Sequence, residues 1–192
     1  MKHVLEYADH AAYLEHQAIK TADPEVIARF AAMREKRIIK FSKAFAFLRE
    51  FFPAGGNTLC LGARYGEEVA AFRSMGWAAI GVDLHHYSDL VIVADFHRLP
   101  WPTGWFDLVF SNAIDHVNDM QAFTAEIRRV LRPDGWVFVQ LFFRDKDFGM
   151  FDCLRLKDDA EFAAEFPGFE TAYRVENDGR VWLLLHRTGD HE

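Results

Sequence analysis

The sequence predicts an α/β fold, in which a mostly parallel β-sheet is covered by helices on both faces. From residue 57 onward, short apolar segments alternate with helical segments, as they do when each strand is followed by a crossover helix. The strand segments are apolar at nearly every position, which is typical of strands buried on both faces. The chain ends with two strand-like segments joined by a turn sequence, and this hairpin predicts one antiparallel strand near an edge of the sheet.

The length and composition are those of a globular protein with a sizeable core. The 192 residues are 51% hydrophobic and 27% charged, with 6 Pro and 12 Gly, which excludes the collagen-like and disordered classes. The net charge of −7 disfavours binding to nucleic acid or to an anionic membrane surface. The two cysteines lack the spacing of zinc ligands, and no segment has the apolar run of a signal peptide or membrane helix. We therefore expect a cytoplasmic protein with no nucleic-acid or membrane partner.

Two helices are predicted before the alternating part of the chain. Residues 2–20 form the first and weaker one. The second begins with Asp23 as N-cap and Pro24 as its first residue, and it ends near Phe52. Its apolar stripe steps by three and four residues and consists of Ile38, Phe41, Phe45, Leu48 and Phe52.

The opposite face of the second helix is basic. It carries Arg34, Lys36, Arg37, Lys40, Lys43 and Arg49. These side chains either form a solvated surface or contact an anionic substrate. The helix ends at the Pro-Ala-Gly-Gly segment of residues 53–56, which marks an internal boundary. The predicted division is an N-terminal helical extension or lid, residues 1–54, followed by a second domain, residues 55–192.

The alternating part of the chain predicts seven strands and three helices. The strands are expected at residues 58–61, 78–82, 90–93, 106–111, 136–142, 169–175 and 180–186. The helices are expected at residues 67–75, 120–131 and 158–166. Turn sequences precede the fifth strand at residues 133–135 and join the last two strands at residues 176–179.

The loops at the carboxyl ends of the parallel strands are where a ligand is expected to bind. Gly62 and Gly66 follow the first strand and allow a tight turn close to a ligand. Asp83 ends the second strand, about 20 residues after Gly62. An acid at this separation holds the ribose diol of a bound nucleotide. The alternative is a carboxylate that only caps the next turn. Glu67 and Glu68 open the helix and would repel phosphate, so NAD and FAD are disfavoured. A nucleoside without phosphates, or with positive charge, fits better.

These motifs resemble those of the class I S-adenosylmethionine-dependent methyltransferases, in particular the small-molecule, type 11-like branch. The similarity covers residues 57–186 and consists of the segments 59–66, 82–83, 94–96, 99–101, 106–109, 115–117 and 126–135. It implies a Rossmann-like seven-stranded sheet of order 3-2-1-4-5-7-6, covered at one end by the N-terminal helices. It also implies S-adenosylmethionine as the cofactor and methyl transfer as the activity.

By resemblance, ten residues are expected to bind the cofactor: Gly62, Ala63, Arg64, Gly66, Asp83, Leu84, Asp95, Phe96, Ser111 and Asn112. Two positions depart from the family pattern. Cys60 stands where the family has an acid for the methionine amino group, and Arg64 replaces the middle glycine. Arg64 either reaches the methionine carboxylate or pairs with Glu67 or Glu68.

His116, just past the fourth strand, is the candidate general base or substrate contact, and Asp115 is placed to orient it. The alternative is a histidine that packs beside the cofactor without transferring a proton. Arg144 and Asp145 follow the fifth strand at the same edge, where they either contact the substrate or form a surface ion pair.

Three tryptophans, Trp101, Trp105 and Trp136, either line an aromatic substrate pocket or belong to the core. A metal site at Asp83, His85 and His86 is disfavoured, because neighbouring residues rarely converge on one ion without further ligands. No metal is therefore predicted.

The leading hypothesis is methyl transfer to oxygen, nitrogen or carbon of a small-molecule metabolite. A catalytically silent, methyltransferase-like binding module is the first alternative, favoured by Cys60 and Arg64. The second alternative is a protein methyltransferase. A nucleic-acid substrate is disfavoured by the net charge and by the absence of an Asn-Pro-Pro-Tyr-type or catalytic Pro-Cys motif.

Overall fold

The computed structural model describes residues 1–22, 24–52, 54–143, 149–177 and 179–189. Within these ranges seven strands form one sheet: β1 (Asn57–Leu61), β2 (Ala78–Asp83), β3 (Val91–Val93), β4 (Phe106–Ser111), β5 (Leu131–Phe142), β6 (Phe169–Asn177) and β7 (Arg180–Arg187). The strand order is 3-2-1-4-5-7-6. Strands β1 to β5 pair in parallel, while β7 is antiparallel to both β5 and β6. The predicted sheet, with its one antiparallel strand, is confirmed.

Helices lie on both faces of this sheet. They are α1 (His10–Ala22), α2 (Pro24–Phe45), α3 (Glu67–Ser74), α4 (Met120–Val130) and α5 (Asp159–Ala163), with short 3₁₀ helices at Ala46–Glu50 and Ile114–His116. Side chains alternate between the faces along each strand. Leu59 and Leu61 pack in the cluster with α4 and α5, whereas Cys60 packs in the cluster with α2 and α3. None of the described helices is both long and apolar enough to cross a membrane.

Helix α2 shares its core with the sheet. Phe41, Phe45 and Leu48 of the predicted apolar stripe are buried, and the Phe45 ring lies 4.4 Å from Phe72 and 5.0 Å from Phe110 between centroids. This packing holds the N-terminal helices against the edge where the strands end. The division of the chain at residue 54 stays a prediction.

The prediction of a helix over residues 2–20 is wrong for the first residues of the chain. Lys2–His3 instead forms a short antiparallel ribbon with Leu154–Arg155, and α1 begins at His10. The Asp9 carboxylate accepts a hydrogen bond from the amide of Ala12, which caps the helix at this point. A backbone partner more than 150 residues away thus decides the conformation of residues 2 and 3. The predicted cap residue Asp23 lies outside the described residues, as does Pro53.

The predicted turn at residues 133–135 lies inside a strand. Strand β5 already begins at Leu131, and its register against β4 shifts between the pairs Phe106–Leu131 and Leu108–Trp136. The Pro-Asp-Gly residues are therefore an irregular, bulged part of β5 rather than a connection before it. In the last hairpin β6 and β7 pair as predicted, although Asp178 lies outside the described residues.

Candidate active site

A cleft of about 290 Å³ opens where β1, β2 and β4 end. The loops after these strands line it with Gly62, Arg64, Asp83, Leu84, Asn112 and His116. Helices α1 and α2 line the other side with Tyr13, Gln17, Phe30, Arg37, Lys40 and Phe41. The cleft therefore lies between the predicted ligand edge of the sheet and the N-terminal helices. Its size is near the lower end of the range for small-molecule sites, roughly 300–1,000 Å³.

Glycine is required at two positions of the loop after β1. Gly62 has φ +70° and Gly66 has φ +73°, a left-handed conformation that side chains disfavour. A Cβ atom on Gly62 would lie 2.6 Å from the Cβ of Ala113, and one on Gly66 would lie 2.8 Å from that of Leu90. The absence of side chains at these glycines allows the loop after β1 to approach Ala113, after β4, and Leu90, just before β3.

The Asp83 carboxylate joins two of the loops that line the cleft. Its Oδ2 accepts a hydrogen bond from the amide of Arg64 at 2.9 Å, and its Oδ1 accepts one from the amide of Leu84 at 2.8 Å. A carboxylate has about four acceptor positions. Asp83 therefore caps the turn, as one interpretation of the sequence expected, and retains acceptor capacity for a diol in the cleft.

Arg64 does not pair with the acidic residues that follow it. Arg37 of α2 forms that pair instead, with its Nε 3.1 Å from Oε1 of Glu67, because α2 packs directly on α3. Within the described part of the chain, the Arg64 guanidinium has no salt bridge and lies 4.2 Å from the ring centroid of Phe30. The predicted pairing of Arg64 with Glu67 or Glu68 is thus wrong, and its role toward a carboxylate in the cleft stays a prediction.

Arg64→Gly is expected to weaken the binding of S-adenosylhomocysteine while leaving adenosine binding unchanged, because only the former has a carboxylate for a guanidinium to hold. Arg64 has φ +42°, so glycine should also relieve backbone strain of about 1 kcal/mol and keep or raise the Tm. Calorimetry with both ligands and a thermal melt test this. Equal loss of affinity for the two ligands would indicate a structural role in the loop.

The other residues predicted to bind the cofactor divide into two groups. Phe96 lines the cleft together with Ala94. Ala63, Gly66, Asp95 and Ser111 are not among the residues that line it. The hydroxyl of Ser111 donates to the carbonyl of Leu61 at 3.2 Å, so it shapes the loop after β4. Their assignment to the cofactor stays a prediction.

Asp95 connects α1 to the sheet. Its Oδ1 accepts hydrogen bonds from the amide and Nδ1 of His97, and its Oδ2 lies 2.6 Å from Nε2 of His10. Burial opposes ionisation of this carboxyl group, but the hydrogen bonds from His97 and His10 outweigh it and lower the pKa of Asp95 to about 2. A residue expected to bind the cofactor thus also connects α1 to the segment after β3.

His116 lies in the cleft wall with a defined tautomer. Its Nδ1 is 3.0 Å from the carbonyl oxygen of Phe151, which can only accept, so Nδ1 carries the proton in this hydrogen bond. Nε2 then has the lone pair, and it lies 3.8 Å from Oδ1 of Asp115. Asp152 is also 3.8 Å from the ring, at Nδ1. The arrangement suits a base whose protonated form is stabilised by carboxylates.

The tryptophans do not line the described cleft. The Trp101 ring packs 5.3 Å from that of Phe106, Trp136 packs against Phe51, and Trp105 is 52% exposed on the surface. The aromatic wall comes from α2 and the strand ends instead. Arg144 and Asp145 lie outside the described residues.

Two groups of possible metal ligands occur that the sequence did not indicate. They are His10, Asp95 and His97, and Asp115, His116 and Asp152, each with ligand atoms within 4.8 Å of one another. In the first group the carboxylate is already hydrogen-bonded by both histidines. These hydrogen bonds explain why the three side chains of the first group lie close together, and no metal ion is needed to explain it.

The strand order and the cleft at the strand ends are those that the resemblance to the class I S-adenosylmethionine-dependent methyltransferases implied. Residues 59–139 match the family model for a methyltransferase domain, and this match supports the class that the sequence motifs resemble. The malonyl-[acyl-carrier protein] O-methyltransferase of Methylovorus sp. (strain MP688) is 39% identical over 70 residues, or 36% of this chain. That match spans only 22% of the length of the relative.

Solved structures share the whole fold at low sequence identity. The 1,6-didemethyltoxoflavin-N1-methyltransferase of Burkholderia thailandensis, with bound 1,6-didemethyltoxoflavin and S-adenosylhomocysteine, has a TM-score of 0.66 and 18% identity. The similarity covers 95% of this chain and 93% of that one. A possible histamine N-methyltransferase from Thermotoga maritima has a TM-score of 0.62 and 14% identity, with 84% and 94% covered.

Proposed function

We propose that the protein transfers the methyl group of S-adenosylmethionine to a small-molecule metabolite. The observation that carries this proposal is the cleft itself, with the glycine loop and Asp83 on one side and helices α1 and α2 on the other. The methyltransferase family match and the small-molecule substrate of the Burkholderia thailandensis enzyme support it. A cleft narrowed by two helices also favours a small acceptor over a folded protein.

The residues of the cleft fit such a cofactor. Asp83 has acceptor capacity for the ribose hydroxyls, and Leu84 and Phe96 provide apolar surface for the adenine. Arg64 supplies positive charge near Phe30, where a carboxylate can be held. When bound, S-adenosylmethionine supplies a methyl group activated by the positive sulfonium.

The chain then contributes position, exclusion of water and a proton acceptor. Side chains of α1 and α2 line one side of the cleft, where they orient the acceptor and reduce its exposure to bulk water. Nε2 of His116 accepts the proton that a hydroxyl or amine nucleophile loses during transfer. The Asp115 carboxylate, 3.8 Å away, stabilises the imidazolium that results.

A catalytically silent binding module is the second candidate. It is favoured by Cys60, a buried thiol where the family has an acid, and by Arg64, a bulky residue at a glycine position. The two candidates share the cofactor and differ in turnover. Release of S-adenosylhomocysteine during a screen of metabolite pools supports the enzyme, whereas binding without release in a broad screen supports the module.

Asp83→Ala is expected to weaken the binding of S-adenosylhomocysteine and of adenosine to the same extent, by about 1–3 kcal/mol. The reason is that the ribose, which both ligands contain, loses a charged hydrogen-bond acceptor. Titration calorimetry measures both affinities. Asp89→Ala, at a fully exposed carboxylate nearby, is the matched control and should bind as the wild type does. If wild-type protein gives no heat with either ligand near millimolar concentration, the proposed cofactor is wrong.

A further inference from the structure

Glu68 is a buried carboxylate in the cleft wall whose hydrogen bonding is incomplete. The residue is 3% exposed and lines the cleft. Its Oε1 accepts a hydrogen bond from Nδ2 of Asn112 at 3.1 Å. Among the described residues its Oε2 has no hydrogen-bond partner. An unpaired buried carboxylate oxygen is costly, which suggests that a ligand provides the missing partner.

The charged groups around Glu68 leave a place for a cation. Glu67, its neighbour on α3, is paired with Arg37 at 3.1 Å, whereas Arg37 approaches Glu68 only to 4.0 Å. Burial and the Glu67 carboxylate raise the pKa of Glu68 to about 7, with Arg37 and Asn112 acting in the opposite direction. The other cationic side chains in the cleft wall are Lys40, Arg64 and Arg180. A positive ligand group at Oε2 would favour the ionised carboxylate.

Cys60, the position at which the family carries an acid, cannot provide this charge. Its thiol is fully buried, and burial together with the nearby Glu68 carboxylate raises its pKa well above the usual range. It therefore stays neutral. The same electrostatic coupling indicates that Glu68 lies close to this position, although it comes from helix α3 and not from strand β1.

We propose that Glu68 binds the α-ammonium group of the methionine part of S-adenosylmethionine, in place of the acid that Cys60 replaces. This inference rests on the proposed cofactor. It assigns the two ends of the amino acid group to different side chains, with the ammonium at Glu68 and the carboxylate at Arg64. Asn112, which holds Oε1, positions the carboxylate for this contact.

The test uses three ligands and the Glu68→Gln variant. The ligands are S-adenosylhomocysteine, its deaminated analogue, which keeps the carboxylate but lacks the amino group, and adenosine. Glu68→Gln should bind S-adenosylhomocysteine about 10- to 100-fold more weakly, because a hydrogen bond between two charged groups is lost. Its affinities for the deaminated analogue and for adenosine should match the wild type. Glutamine retains the shape and the acceptor for Asn112, so a thermal melt should show no loss of Tm.

A pH series of the wild type gives a second measurement that needs no substitution. Binding of the ammonium requires ionised Glu68, so the Kd of S-adenosylhomocysteine should rise as the pH falls below about 7, by up to about tenfold per unit. The deaminated analogue should show no such dependence, and neither should Glu68→Gln with any ligand. Glu170→Gln, at an exposed carboxylate on edge strand β6, is the charge-matched control.

The outcomes separate this inference from the proposed function. If wild-type protein binds neither adenosine nor S-adenosylhomocysteine, the proposed cofactor fails and the inference fails with it. If wild type binds both and Glu68→Gln binds S-adenosylhomocysteine equally well, only the assignment of Glu68 is overturned. If Glu68→Gln binds all three ligands more weakly by the same factor, the assignment is also overturned, since that pattern indicates a structural role for Glu68.

Discussion

His116→Ala should lower kcat by roughly 10²- to 10⁴-fold, the usual contribution of a general base, while S-adenosylhomocysteine affinity stays within about twofold. The ring lies in the cleft wall, and its Nδ1 donates to the carbonyl of Phe151, so the lone pair of the neutral ring is on Nε2. Arg64, Glu68 and Asp83, which are proposed to hold the cofactor, belong to other segments of the chain. The measurement is steady-state kinetics with a substrate identified in the metabolite screen, together with calorimetry.

The dependence of turnover on pH tests whether His116 accepts a proton or only fills space in the cleft wall. Wild-type turnover should fall in mild acid, because an imidazolium has no lone pair to accept a proton, and the alanine variant should lack this inflection. His86→Ala, at a histidine that is 58% exposed, is the control and should retain both the rate and the profile. Wild-type kinetics in the His116 variant would eliminate it as the base.

Phe45→Ala should lower the free energy of unfolding by about 3–5 kcal/mol, which is the usual cost of truncating a buried phenylalanine. Phe45 is fully buried where α2 meets the sheet. Its ring contacts those of Phe41, Phe72, Phe110, Phe138 and Trp182. Removing it leaves a cavity between five aromatic rings that cannot all move inward together. Urea denaturation measures the change.

This substitution should also weaken cofactor binding at temperatures where the variant is still folded. Helix α2 carries Phe30, Arg37 and Phe41 into the cleft wall, so loosening its packing disturbs that wall. Met33→Ala on the same helix is the control, because Met33 is 47% exposed, and its stability should change by less than about 0.5 kcal/mol. A Phe45 variant with wild-type stability would mean that α2 is not anchored by this aromatic cluster.

The seven-stranded sheet was predictable because its signals are local. Strands buried on both faces need apolar residues throughout, and the helices between them need a repeat near 3.6, so both patterns are present in short windows. The glycine loop and Asp83 were also recognisable, since Gly62 and Gly66 require a left-handed backbone that other residues disfavour. The antiparallel strand followed from the hairpin sequence at the end of the chain.

Local signals failed where a distant segment provided the hydrogen bonds. Residues 2 and 3 have a helix-compatible sequence, but they pair with Leu154–Arg155 as a ribbon. The Pro-Asp-Gly sequence at residues 133–135 is typical of a turn before a strand, but it falls at a register shift inside β5 because Leu131 already pairs with Phe106. In each case the backbone partner lies far away in the sequence and leaves no periodic signal.

The sequence by itself predicted the fold class, because strand and helix periodicities are local, and the resemblance of its motifs to a known family implied the sheet order that the structure has. Only the tertiary structure decided the charges in the cleft. Arg37 and Glu67 are 30 residues apart and pair because α2 packs on α3, which removes the expected partners of Arg64. The sequence identified Glu68 only as an acid in the first turn of a helix, whereas the folded chain buries it and leaves Oε2 without a hydrogen-bond partner among the described residues. Burial and pairing depend on which elements touch, and that is a property of the folded chain.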